Sequence, residues 1–77
     1  MKNKHKVGDT VTIKSAKWFE ENSRCGVVEN ELLDFTYSMT KYCGMKAKIL
    51  EYDKTYKYYL LSIDEGIYGW CDYMFED

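Results

Sequence analysis

A period of two recurs in three short stretches, strictly alternating apolar and polar in the first, and it constrains the fold more than any other feature of the chain. From Thr10 to Lys14, Val11 and Ile13 share one face while Thr10, Thr12 and Lys14 share the other. From Met45 to Leu50, Met45, Ala47 and Ile49 alternate with Lys46 and Lys48. From Tyr58 to Ile63, residues Tyr59, Leu61 and Ile63 fall on one face. Such stretches read as half-buried strands. Ile67 to Cys71 reads as one more strand. Turn signals separate them: Val7-Gly8-Asp9, Asp53-Lys54-Thr55 as a hairpin loop, and Asp64-Glu65-Gly66 as a tight turn in which Gly66 takes positive φ. The back half is therefore expected to be a three-stranded meander, with at least one further strand from the front. Four or five short strands in 77 residues predict a small all-β barrel.

The stretch between the first strand and the meander has a different character. Ser15 suits a helix N-cap, and Ala16 to Asn22 fits one or two helical turns with its acids early. Trp18 and Phe19 are expected to cover one end of the core. Ser23 to Gly26 reads as a loop. Val27 to Phe35 fits either a strand or an irregular excursion, because its apolar pairs are separated by acids. Thr36 suits a second N-cap, Tyr37 to Cys43 a short helix, and Gly44 its left-handed cap. Asp72 to Phe75 reads as a closing turn. Residues 1–6 lack periodicity and read as a frayed tail, with 7–77 as a single domain. The predicted core is Val11, Ile13, Trp18, Met39, Ala47, Ile49, Tyr59, Leu61, Ile63, Trp70 and Phe75.

A chain of this length buries only about 60% of its unfolded surface, so a few large side chains must build the core. The 13 aromatics supply them. No run approaches the length of a membrane span, and MKNKHKVGDT has no apolar stretch behind its basic start, so it does not read as a signal peptide. Cytoplasmic residence is the expectation. Cys25, Cys43 and Cys71 are odd in number and widely spaced, which predicts buried free thiols. With His5 as the single histidine, no metal site and no cofactor is expected.

Three blocks carry a family resemblance. They are Lys6-Val7-Gly8-Asp9 followed by Val11, Ile13 and Lys14; Met39-Thr40-Lys41-Tyr42-Cys43-Gly44 running into Ala47-Lys48-Ile49; and Asp64-Glu65-Gly66 through Trp70-Cys71-Asp72-Tyr73-Met74-Phe75-Glu76. In these blocks the chain resembles small, mostly uncharacterised proteins of phages and of low-GC, gut-type bacteria that form Src-homology-3-like (SH3-like) barrels. The resemblance implies an SH3-like barrel with one or two short helices inserted after the first strand. It brings no catalytic residue with it.

For function, the residues themselves disfavour an enzyme. A nucleophile needs a positioned base, and the single imidazole lies in the expected tail. No phosphate-binding or metalloprotease motif occurs. Charge is more informative. The net value is −2, but two acidic blocks alternate with basic ones. Glu20, Glu21, Glu29, Glu31 and Asp34 face Arg24 alone between residues 18 and 40, and residues 58–77 hold Asp64, Glu65, Asp72, Glu76 and Asp77 with no Lys or Arg. Tyr37, Tyr52, Tyr56, Tyr58, Tyr68 and Tyr73 exceed what a core this small uses, and tyrosine favours interfaces. These features point to a non-catalytic protein-binding module, with Tyr68, Tyr73, Asp64, Glu65 and Asp72 as its site. Given the resemblance, a phage-related accessory protein or inhibitor acting on a host protein is the concrete form. The alternative is a nucleic-acid-binding barrel using Lys46, Lys48, Lys57 and Tyr58, with Tyr56 beside them. A third possibility is a homo-oligomer that buries the extra tyrosines between subunits.

Overall fold

The computed structural model describes residues 5–31 and 33–76. The strands are β1 (Thr10–Thr12), β2 (Val27–Val28), β3 (Phe35–Thr36), β4 (Lys46–Asp53) and β5 (Tyr58–Leu61), with one helix, α1 (Ala16–Asn22). Three 3₁₀ turns, Tyr37–Tyr42, Ser62–Asp64 and Asp72–Met74, link them. The strands form two antiparallel sheets, β1-β4-β5 and β2-β3. The chain is thus small and strand-rich, and among the described residues its sheets do not close into a barrel.

The alternation seen in the sequence sets the main register. Val11 pairs with Ala47, Ile49 with Leu61, and Tyr52 with Tyr59. All but the partly buried Tyr52 are core residues. Glu51 pairs with Leu60, so Leu50 is an extra residue in β4. This bulge moves the inward face from odd to even positions, which lets β4 run to Asp53 instead of ending at Leu50.

The segment after β5 departs from expectation. The tight turn at Asp64-Glu65-Gly66 is the end of a 3₁₀ turn, with Glu65 left-handed at φ 54° and Gly66 at φ 78°. The strand predicted over Ile67 to Cys71 is reduced to one bridge, Trp70 to Tyr59. The Asp64 carboxylate accepts the N–H groups of Gly66 and Tyr68, which draws that backbone away from a ladder. Residues 70–76 then cross between the sheet edges. Trp70 bridges to β5, and Phe75 bridges to Ile13 just beyond β1.

In the front half, α1 has the predicted bounds. Its Ser15 hydroxyl accepts the Trp18 N–H at 3.1 Å. Its acids, Glu20 and Glu21, lie in the second half and not in the first turn. The segment Val27 to Phe35 resolves into a small hairpin, with Val27 opposite Thr36 and Val28 opposite Phe35. The helix expected over Tyr37 to Cys43 is 3₁₀ in form.

The core holds Val11, Ile13, Met39, Ala47, Ile49, Tyr59, Leu61, Trp70 and Phe75 as predicted, together with Phe19, Val28, Phe35, Cys71 and Met74. Trp18 and Ile63 pack against it and stay partly exposed. Phe19 takes the buried place expected of its neighbour Trp18, although both rings pack on Phe35. Ile63 loses its inward place because β5 gives way to a 3₁₀ turn at Ser62.

Candidate functional site

Two aromatic groups organise the molecule. In one, Tyr73 stacks near Trp18, Trp18 meets Phe35 edge-on at 5.3 Å, and Phe35 meets Trp70 at 5.9 Å. Tyr42 and Tyr68 complete it, each within 6.3 Å of Trp70. In the other, Tyr52, Tyr59, Phe75 and His5 pack together.

The five residues assigned to a protein-binding site occupy three different settings. Asp64 is 3% exposed and lies inside the fold. One of its carboxylate oxygens accepts from Gly66 N at 3.1 Å, and the other from Tyr68 N at 2.9 Å and Trp70 Nε1 at 3.1 Å. It anchors the loop from inside and offers nothing to a partner, which corrects its assignment as a surface acid. A buried carboxylate without a cation persists only with such donors. Glu65 is exposed on the loop that Asp64 holds. Tyr68 is partly buried, and its hydroxyl donates to Ser38 Oγ at 3.1 Å. Tyr73 is partly buried too, with its hydroxyl donated to the Leu33 carbonyl at 2.6 Å. Burial drives the Tyr73 hydroxyl pKa up, and the neighbouring Cys71 and Asp34 add to the rise. Tyr73 thus clamps the excursion and is not a free contact.

Asp72 is exposed and touches His5, with Nδ1 to Oδ1 at 3.1 Å. His5 falls within the segment read as a tail, yet it is 9% exposed. Its N–H donates to the Tyr59 hydroxyl, and its ring packs edge-on against Phe75. Lys6 and Asp9 form a local turn before β1. Residues 1–4 lie outside the described residues. Tyr59 is pushed up to about 12 by burial first and by its hydrogen bond to Asp72 second. Although His5 contacts the residue next to Cys71, that thiol is no activated nucleophile. It points at the Lys57 carbonyl, and burial pushes its pKa up to about 11, whereas reactive thiols are held low.

Two exposed apolar residues escaped the sequence reading as site members. Tyr37 is 73% exposed and Ile67 is 76% exposed. They precede Ser38 and Tyr68, whose hydroxyls are hydrogen bonded, so both flank one contact between the first 3₁₀ turn and the Asp64 loop. Tyr37 is among the surplus tyrosines, which was its one signal. Ile67 was hidden by the strand expected there.

The lysine set is also divided. Lys46 and Lys48 are exposed on the outer face of β4, and Lys57 sits at the hairpin tip with φ 59°. At about 3.3 Å per residue, Lys48 lies roughly 16 Å from the tip along the strand. Tyr58 is partly buried, with its ring against Gly69. The exposed aromatic of that region is Tyr56, at 68%.

Among the described residues no group of three or more His, Cys, Asp and Glu is placed to hold a metal ion. No helix of the described residues is long and apolar enough to cross a membrane. Comparison with protein-family models, curated proteins and solved structures finds no match to this chain.

Proposed function

We propose that the chain is a non-catalytic protein-binding module on an SH3-like barrel, acting in the cytoplasm as a small accessory protein or inhibitor of a host protein. The barrel reading draws support from residues 70–76, which touch both β5 and the end of β1 and so approach closure. The cytoplasmic reading draws support from three free thiols, although against expectation Cys71 alone is fully buried, Cys43 being half-buried and Cys25 exposed on a loop. The phage-related origin rests on the three resembling blocks alone.

The observation that carries the binding reading is the pair Tyr37 and Ile67, both exposed, each next in sequence to one partner of the Ser38–Tyr68 hydrogen bond. A large aromatic and a β-branched apolar residue beside a fixed contact suit an interface centre. Glu20, Glu29, Glu31 and Asp34 precede Tyr37 in the chain and Glu65 precedes Ile67, and all five are exposed. A partner with a basic rim is therefore favoured, and charge would speed its encounter. The test is capture from nuclease-treated host extract by tagged wild-type protein and by the double variant Tyr37→Ala/Ile67→Ser. The expected result is one protein held by wild type and lost by the variant. A blank, or capture unchanged in the variant, overturns the site.

A further inference from the structure

We infer that the outer face of β4 and the tip of the β4–β5 hairpin form a track for single-stranded nucleic acid, with Lys46, Lys48, Lys54 and Lys57 on the phosphates and Tyr56 as the base platform. This goes beyond the protein-binding reading and shares no residue with it.

Charge segregation is the first observation. The chain is acidic overall, yet residues 46–57 hold four lysines against Glu51 and Asp53. All four lysines are exposed, and among the described residues none of them forms an ion pair. The Asp53 carboxylate is turned to other use. One of its oxygens accepts the N–H groups of Thr55 at 2.8 Å and Tyr56 at 2.9 Å. Glu51 is then the one exposed acid on the path.

The second observation is the tip itself. The two bonds to Asp53, with Lys57 N donating to the Asp53 carbonyl at 2.7 Å, fix the turn and set Tyr56 outward between two lysines. An ordered aromatic flanked by cations is the element on which single strands stack, at about 1–3 kcal/mol per base. The bulge at Leu50 keeps β4 running to the tip, so the lysines span about 23 Å at 3.3 Å per residue. That length suits the short end of the roughly 4–16 nucleotides such a small fold covers. A single strand is favoured over a duplex because the exposed ring of Tyr56 needs an unpaired base to stack on.

The test is fluorescence anisotropy with labelled dT12, a 12-base-pair duplex and anionic phosphatidylserine vesicles as probes. dT12 is expected to bind at 50 mM salt more tightly than duplex or vesicles. Four phosphate contacts predict a roughly hundredfold loss between 50 and 250 mM salt. Tyr56→Ala should weaken binding about tenfold. Glu51→Gln should strengthen it severalfold, a gain that damage to the fold does not mimic. Circular dichroism would confirm that both surface variants fold. No binding of dT12 at 50 mM overturns the inference. So does binding that is indifferent to both substitutions. Tighter binding of vesicles would replace the nucleic acid with a membrane surface.

Discussion

The two hairpins of this protein are built in opposite ways. β4 and β5 span eight and four residues, and their inward residues Ala47, Ile49, Tyr52, Tyr59 and Leu61 carry their own pattern. β2 and β3 have two residues each, and Val28 and Phe35 alone turn inward. The short hairpin is held by what it docks on. Phe35 meets Trp18, Phe19 and Trp70, and the Leu33 carbonyl takes the Tyr73 hydroxyl. Leu33 also presses on Gly69, where an added Cβ would sit 2.8 Å from its methyl. Charge divides in the same way. The short hairpin carries Glu29, Glu31 and Asp34, and the long one carries Lys54 and Lys57. One hairpin is specified by its alternation, the other by tertiary contacts made elsewhere.

The strongest way to break that contrast is Phe35→Ala. Phe35 is fully buried and joins α1 to Trp70. Removing its ring should cost about 3–5 kcal/mol. That approaches the whole stability of a domain this small. Urea denaturation followed by tryptophan emission checks it. A loss under about 1 kcal/mol would mean that the short hairpin rests on the fold without supporting it.

The same contrast explains what the sequence disclosed. β1, β4, β5, the bounds of α1 and the turns at Asp53 and Gly44 follow from local rules: alternation, a capping serine, an Asx turn and a left-handed glycine. The hairpin of β2 and β3 does not, because acids interrupt its apolar pairs and its strands form against Phe19 and Trp70. The candidate site was legible in part. Surplus tyrosines pointed to exposed aromatics, and Tyr37 and Tyr56 are exposed, but which tyrosines face out depends on partners remote in sequence. Tyr73 is clamped by Leu33 and Tyr68 by Ser38. Asp64 reads as an ordinary turn acid until Trp70 Nε1 is seen to reach it.

Asp64 marks where the alternation of β5 ends, and its replacement sharpens the comparison. Asp64→Ala leaves three N–H donors without their acceptor, two of them backbone and one the Trp70 indole. A loss of about 2–3 kcal/mol is expected, since bonds to charged groups are the stronger ones. Asp64→Asn retains one carbonyl oxygen and should lose less. Thermal unfolding gives the order, and the Trp70 emission should shift as its indole N–H is freed. Equal losses in the two variants would mean that packing, and not the hydrogen bonds, holds the loop.

The smallest effect tests the long hairpin at Tyr59, and it depends on pH. Tyr59 is raised from 10.0 to about 12 by burial and by Asp72, and Cys71 from 9.0 to about 11 by burial and by the charge of Asp72. In the folded state both keep their protons to higher pH than in the unfolded chain. Their contribution is therefore complete below pH 9 and declines as pH rises, through about 11 for Cys71 and about 12 for Tyr59. Tyr59→Phe removes the hydroxyl that serves Asp72 and His5 N, at a cost of about 1 kcal/mol at pH 8. The variant should then lose less than wild type between pH 10 and 12, so that the two stability curves converge. Urea midpoints at pH 8, 10 and 11 decide it. Curves that stay parallel would mean that the Tyr59 hydroxyl ionises alike in folded and unfolded chains, and that β5 is held by its apolar face alone.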